Sequence, residues 1–301
     1  MDILTDILSS ADIKKTLLAS YSFYDHFAAS FPCDRSMGFH VVTQGEVYVR
    51  AKRLRTPLTL RKGDLILLAR GFNHDLTTDL ELLPSTQGWP APQVPAPRRA
   101  PRVTLASGVY HFATPPIHPL FKELPDKLLL RAEAIASHSP LHSALLLLSS
   151  ELSQNELGSE AVTRNLLDIL FHYILRTWMN STSDGARGWN LALKDAHLIK
   201  AIQAIHERPE HGWSVEELAK VAGVSRATFA QRFKQQTLDT PAHYLAKVRI
   251  QKAAQFLRAG QHNVEEVASL VGYHDSFVFS KAFKRLQGVS PRAFKQAAQA
   301  T

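Results

Sequence analysis

Two apolar periods divide the chain. From Ile13 to Tyr110 the apolar residues fall in short runs: KKTLLASYSF, MGFHVVT, EVYVRAKRL, LTL, DLILLA, DLELL and RVTLASGVYHF. Gly45, the surroundings of Pro57 and the Lys62-Gly63-Asp64 triplet punctuate them as turns do. Such closely spaced short strands predict a sandwich or small barrel over about 13–111. Ahead of them, Ile3, Leu4, Ile7 and Leu8 share one helical face behind Asp2, which predicts a short capped helix over 2–10. Over about 117–180 the spacing becomes helical, with dense leucines from Leu141 to Leu152 and from Ala161 to Met179, and with Leu166, Leu170, Tyr173 and Trp178 on related faces. This helical pair would either cover the barrel or form a seam between two copies of the chain.

The C-terminal part is organised by one pattern written twice. SVEELAKVAGVSRATFAQRFK (214–234) recurs as NVEEVASLVGYHDSFVFSKAFK (263–284), with one extra residue after the glycine of the second copy. In each copy a cap residue, Ser214 or Asn263, precedes two glutamates, which suit the positive end of a helix dipole. Ser214 with Glu217 also spells a capping box. Val215, Leu218, Ala219 and Ala222, like Val264, Val267, Ala268 and Val271, form one apolar stripe. Gly223 and Gly272 then stand where a chain leaving a helix commonly needs positive φ. The next helix would bury Phe229 and Phe233, or Phe279 and Phe283, and leave its other face free. Each copy is thus a helix-turn-helix, whose second helix can enter a major groove. Between the copies, Thr240-Pro241 reads as a cap and first helical position, and Ala246, Ile250, Ala253 and Leu257 keep helical spacing as far as Gly260. About 19 residues at roughly 1.5 Å each make a rod of about 28 Å. Successive major-groove faces lie about 34 Å apart on one side of a duplex, so one chain could address two adjacent turns.

The segment from about Leu193 to Gln296 resembles the DNA-binding domain of AraC/XylS-type bacterial transcription regulators. The resemblance rests on Gly223-Val224-Ser225, Tyr244-Leu245, Arg249-Ile250, Ala253, Gly272-Tyr273, Phe279-Ser280, Ala282-Phe283-Lys284-Arg285, Gly288 and Ser290-Pro291. There are two departures. Leu238 stands where the family usually closes the first unit with glycine, so that turn is expected to be made differently. Gln231 and Lys281 stand where arginine is common, so base preference does not transfer. Gly63-Asp64, Ala69-Arg70-Gly71 and His74 resemble the second motif of the cupin barrel, which heads many such regulators, and Phe39-His40-Val41 with Gly45 matches the preceding strand and turn loosely. The resemblance implies an α+β multidomain protein. Residues 1–180 would be a cupin-like sensor and dimerisation domain, with its β-barrel at about 13–111 and helices at about 117–180. Residues 181–190 (STSDGARGWN) have linker composition. Residues 191–301 would be the all-α, double helix-turn-helix domain.

Charge supports this division. The 301 residues carry a formal +8, and from Leu191 onward 16 Lys and Arg stand against 9 Asp and Glu, so the C-terminal part holds +7 of it. A basic module attached to a near-neutral one is the footprint of phosphate binding. Residues 84–102 hold six of the 16 prolines and read as an extended loop, whose Arg98, Arg99 and Arg102 are more naturally solvated than bound to DNA. The single cysteine, Cys33, allows no internal disulfide and fits a reducing cytoplasm. No basic leader and no apolar run of about 20 residues is present, so the expectation is a cytoplasmic protein with no membrane partner.

The base-reading candidates are Arg226, Ala227, Thr228, Ala230 and Gln231 in the first unit and Asp275, Ser276, Phe277, Ser280 and Lys281 in the second. Gln231 can pair bidentately with adenine, Lys281 can donate to guanine and Ala227 can lie against a thymine methyl. Asp275 is more readily a helix cap than a reader of cytosine. Arg232, Lys234, Lys284, Arg285 and Arg292 suit phosphate contacts. The partners implied are double-stranded DNA, a small-molecule or chemical effector, RNA polymerase and a second copy through the 141–180 helices.

Cupin metal sites need paired histidines, a glutamate and a further histidine, whereas only His74 and His40 fall in suitable places, and His111 and His118 lack metal spacing. The expectation is therefore no metal, no cofactor and no catalytic residue, with His40 and His74 as candidates for effector contact. The alternatives are redox sensing through Cys33 and a metal-dependent cupin enzyme fused to a DNA module. Sequence-neutral architectural DNA binding is a further reading.

Overall fold

The computed structural model describes residues 2–10, 13–33, 36–84, 98–112, 118–137, 139–154, 156–181 and 188–299. Most of the 84–102 loop and of the 181–190 linker lies outside these residues. The chain forms two compact units, one of Lys14–His111 with Leu124–Ser181, the other of Met1–Ile13, Phe112–Glu123 and Thr182–Thr301.

In the first unit the described residues form nine strands in two sheets: β1 (Ile13–Phe23), β2 (Ala28–Phe31), β3 (Ser36–Gln44), β4 (Glu46–Arg50), β5 (Leu58–Arg61), β6 (Leu65–Leu68), β7 (His74–Thr77), β8 (Val103–Phe112) and β9 (Leu128–Leu130). Their orders are β1-β8-β3-β6-β9 and β2-β7-β4-β5. The strands thus make two cupin-like sheets around a shared core rather than one closed ring, and Phe31, Val42, Val47, Leu60, Ile66, Leu76 and Leu105 from both sheets fill that core. Asp64, buried at the turn between β5 and β6, accepts hydrogen bonds from the Arg61 and Ala132 amides and from Arg131.

One strand expectation is corrected, and three strands, β2, β7 and β9, are added to those the pattern predicts. DLELL, residues 79–83, is a turn, although its alternation mimics a strand; the Leu80 and Leu82 carbonyls accept from the Arg50 guanidinium, not from a neighbouring strand. The strand lies just before it, at β7, while β2 and β9, of four and three residues, are too short to carry an alternation of their own.

The helices are α1 (Ile3–Ser10), α2 (Pro119–Glu123), α3 (Pro140–Gln154), α4 (Ser159–Ser181), α5 (Trp189–Ala192), α6 (Leu198–Glu207), α7 (Val215–Ala222), α8 (Arg226–Thr237), α9 (Pro241–Ala259), α10 (Val264–Leu270), α11 (Ser276–Gln287) and α12 (Pro291–Gln299). α3 and α4 pack on each other, burying Leu141, Leu145 and Leu148 of α3 with Leu166, Leu170 and Trp178 of α4. α4 is tied to β8, because Tyr110 stacks on Phe171 (4.3 Å between centroids) and donates to the Leu167 carbonyl at 2.9 Å.

In the second unit α7–α8 and α10–α11 are the two helix-turn-helix copies. Both open with a complete capping box, Ser214 with Glu217 and Asn263 with Glu266. The repeat runs further than the paired motifs. Thr240-Pro241 and Tyr244 recur as Ser290-Pro291 and Phe294, each hydroxyl caps the helix it opens, and each aromatic ring packs on the last phenylalanine of its own copy. In that register Leu238 occupies the place of Gly288. The turn expected to be made differently is made the same way, with Leu238 in the left-handed region (φ 56°) beside Gly288 at φ 82°. Its side chain is 80% exposed, so no burial compensates a backbone strain of about 1–2 kcal/mol.

α9 serves both copies. Arg249 on its middle turn donates to the carbonyls of Pro209 (2.6 Å), Glu210 and His211 ahead of α7, and lies over the ring of Tyr273 just after α10. Gly272 (φ 82°) lets the chain pass there, since a Cβ would stand 2.3 Å from the Glu210 carbonyl oxygen. At the other end of α9, a one-way hydrogen-bond chain surrounds Tyr244. The Leu120 amide donates to His118 Nδ1 (3.2 Å), which leaves the His118 proton on Nε2 to donate to the tyrosine oxygen (3.0 Å). The phenol donates to His206 Nε2 (2.6 Å), and His206 Nδ1 donates to the Asp6 carboxylate of α1. Burial, together with the nearby His206 and Lys247, holds the His118 pKa well below the usual histidine range, and burial raises that of Tyr244, so both stay neutral in this chain.

Leu238→Gly is expected to raise the unfolding free energy of the C-terminal helices by about 0.5–1 kcal/mol, read as a higher urea midpoint with unchanged slope. A lower midpoint would show that the leucine side chain contributes more than its backbone conformation costs.

Candidate nucleic-acid interface

The geometry of each recognition helix follows from its buried pair. In α8, Phe229 and Phe233 are fully buried, and in α11 Phe279 and Phe283 are. At 100° per residue, the face opposite these pairs carries Ala227, Gln231 and Lys234 on α8, and Phe277, Lys281 and Lys284 on α11. All six are exposed. Arg226 and Ser276 are exposed at the starts of their helices, Arg232 and Arg285 are exposed flanking the faces, and Thr228, Ala230 and Ser280 are half-buried. Arg292 is exposed on α12.

Capping fixes where each helix starts. The Ser225 hydroxyl accepts from the Thr228 amide (3.2 Å) and meets the Thr228 hydroxyl at 2.8 Å, so Thr228 is engaged within its own turn. Asp275 accepts from the amides of Phe277 (2.6 Å) and Val278 (3.2 Å), the cap that its sequence position suggested. A carboxylate spent on two amides near the positive end of α11 opposes an approaching phosphate less than a free one would. Beyond Asp275, the charged residues of α11 are Lys281, Lys284 and Arg285, all cationic.

The effector candidates come together in the β-domain. His40 of β3 and His74 of β7 are buried, with their Nε2 atoms 2.7 Å apart. Proton placement follows from the fixed acceptor. The Phe72 carbonyl can only accept, so His74 holds its proton on Nδ1 (3.2 Å) and accepts on Nε2. His40 therefore donates through Nε2, and its Nδ1 accepts from the Ser107 hydroxyl at 2.8 Å. Cys33 Sγ lies 3.8 Å from His74 Nδ1, the nitrogen facing away from His40. One ion could not be held by all three, and among the described residues no group of three or more His, Cys, Asp or Glu side chains is placed to hold a metal. Ser107 and Cys33 are the members of this cluster that spacing could not reveal: Ser107 reaches His40 through the pairing of β3 with β8, and Cys33 follows the end of β2, where Phe31 pairs with His74. Arg99 of the loop, a weaker DNA candidate, is ion-paired with Asp25.

Burial lowers the His74 pKa to about 4, and burial reinforced by the neighbouring His74 lowers that of His40 well below its usual value.

Two family models match the two parts of the chain. A cupin family model matches residues 2–180, and a helix-turn-helix domain model matches residues 218–297. The chain is 30% identical over 301 residues to a Streptomyces antibioticus protein named an AraC-like transcription regulator, covering 98% of this chain and 99% of that one. It is also 30% identical over 267 residues to the RCS-specific HTH-type transcriptional activator RclR of Escherichia coli K12, covering 86% of this chain and 84% of that one. Among solved structures, ToxT from Vibrio cholerae O395 aligns with a TM-score of 0.39 at 12% identity, covering 96% of this chain and 99% of that one.

The buried histidines make stability pH-dependent. Unfolding exposes groups that take up protons below pH 6.5, whereas the folded His40 and His74 stay neutral. Stability contributed above pH 6.5 is therefore lost as pH falls toward about 4, with a slope of up to about 1.4 kcal/mol per pH unit for each histidine. Urea midpoints measured from pH 7.5 to 4.5 should fall, and His74→Gln should flatten the slope relative to wild type.

Proposed function

The chain belongs to the AraC-like transcription regulators, with a cupin domain ahead of its helix-turn-helix domain, and we propose that α8 and α11 read adjacent major-groove segments on one face of a duplex. It is a DNA-binding transcription regulator. The reading rests on one observation, that two outward faces, each opposite a buried phenylalanine pair and each bearing cations, stand at the two ends of a single 19-residue helix. Residues 1–180 act as the sensing and dimerising part, 181–190 as the linker and 191–301 as the reader, although α1 and residues 118–123 fold with the C-terminal helices.

Arg226, Ala227, Gln231, Ser276, Phe277 and Lys281 read base edges, with Thr228, Ala230 and Ser280 at the margins of these faces. Asp275 acts through the cap. Arg232, Lys234, Lys284, Arg285 and Arg292 hold phosphates, which set register without selecting sequence. An effector taken by the β-domain, with His40 and His74 as its polar contacts, changes DNA binding to the extent that it binds two states of the protein unequally. RNA polymerase is the partner through which a bound regulator would act, in the cytoplasm. Among the described residues no helix is long and apolar enough to cross a membrane.

The outer sides of α3 and α4 support dimerisation. Leu146 and Leu147 are each 59% exposed, with Val162 and Ile169 also exposed, while the opposite sides of both helices are buried. A second copy is the occupant that this apolar surface suits. Sedimentation without DNA at micromolar concentration should show a dimer, and Leu147→Glu should shift it to monomer.

Gln231→Ala should change preference at particular base pairs by about 1–3 kcal/mol. Lys284→Ala should weaken all sequences alike and reduce the salt slope by about one. Uniform weakening by Gln231→Ala would remove its base-reading role.

A further inference from the structure

The two recognition faces differ in chemistry at matched positions. From the caps onward the copies are related by a constant shift, Ser225 to Asp275 and Phe229 to Phe279, so Ala227 corresponds to Phe277 and Thr228 to Val278. Phe277 is 77% exposed and Val278 53% exposed, both in the first turn of α11. A phenylalanine and a valine left in water beside one another lose the burial that apolar side chains gain elsewhere in the fold. In α8 the same turn presents a methyl and a hydroxyl already held by Ser225.

The surroundings select what covers this apolar pair. Phe277 shares its face with Lys281 and Lys284, and Arg285 lies beside them, so the partner is a polyanion with an apolar group within reach of the first helical turn. The first turn of a recognition helix is the part that meets base edges. In the major groove the base pairs present hydrogen-bond donors, acceptors and one apolar group, the C5-methyl of thymine. Resting on the reading of α11 as a recognition helix, we infer that Phe277 and Val278 recognise thymine methyl groups, so that the second half of the site is read by apolar contact. The first half offers only the small methyl of Ala227 and is read chiefly by the polar pairing of Gln231. One site therefore has two halves in which apolar contact carries different weight, although the two units follow one pattern. The phenylalanine at 277 also sets a distance. A side chain of that size in the first turn holds the axis of α11 further from the base edges than Ala227 holds α8, leaving reach for the long Lys281 where α8 uses the shorter Gln231.

The test uses the full-length protein and duplexes selected from a random pool. Each thymine of the selected site is replaced in turn by deoxyuridine, which removes the methyl and keeps the pairing. Wild-type protein should lose about four-fold in affinity per methyl contacted. The double variant Phe277→Ser with Val278→Ser should bind the thymine and uracil duplexes equally at those positions, Phe277→Leu should retain part of the difference, and Gln231→Ala should keep it whole. Specific binding by wild type with no sensitivity to any uracil, or equal sensitivity in wild type and the double variant, would overturn methyl recognition and leave the regulator assignment standing. Failure to select any sequence above the pool would remove the recognition-helix reading itself, and this inference with it.

Discussion

The rigidity of α9 is the constraint from which the DNA-facing geometry follows. Two helix-turn-helix units on a flexible tether would meet a duplex independently, and each would lose its own rotational freedom on binding. Here Arg249 bonds to three carbonyls ahead of the first unit and covers Tyr273 of the second, so the middle of the rod is fastened to both copies. The carbonyls at residues 209–211 lie early in the loop between α6 and α7, and a buried or half-buried carbonyl without a donor is expensive. The guanidinium supplies several donors in one plane, which an ammonium at the same place would not. Gly272 completes the junction, because any side chain there would collide with the Glu210 backbone.

Tyr244 plays the equivalent part at the first end of α9. In the second copy the same register position is Phe294, an apolar ring against Phe283. Tyrosine adds a hydroxyl, and a buried hydroxyl needs partners. These come from His118 and His206, and through His206 from Asp6, so three segments far apart in sequence join α9 at one ring. The repeat therefore has a symmetric apolar framework and a polar addition on one copy only. That addition draws α1 and residues 118–123 into the C-terminal unit.

Much of this was legible in the sequence for reasons that can be named. The capping boxes, the phenylalanine pairs and the glycines at left-handed positions are local signals, written within a few residues of the structure that they specify. The continuation of the repeat through Thr240-Pro241 and Ser290-Pro291 was equally local but is masked by the change from tyrosine to phenylalanine. Leu238 misled because glycine at a helix end is a preference and not a requirement. The strand preceding DLELL was missed since Arg50, some 30 residues away, supplies the donors that make residues 79–83 a turn. The contact of His40 with His74 and the role of Arg249 were beyond local reading, because each depends on strand register or helix packing between distant residues.

The segments that flank the strands in the chain fold with the C-terminal helices. β1 and β8 are neighbours in one sheet; α1 leads directly into β1, and residues 118–123 follow β8. Both flanking segments end in the hydrogen-bond chain around Tyr244, through Asp6 on one side and His118 on the other. That chain has a single direction of donation, from the Leu120 amide to the Asp6 carboxylate, so each member is satisfied only while its neighbours are in place. Displacing either segment would leave a buried histidine or the Tyr244 phenol without a partner, a change of about 1–3 kcal/mol for each orphaned group. That is the size of a typical coupling energy between two ligand sites. Asp6, His118, His206 and Tyr244 therefore hold one another in place within the C-terminal unit, where the segments on either side of the strands are fastened to α6 and α9.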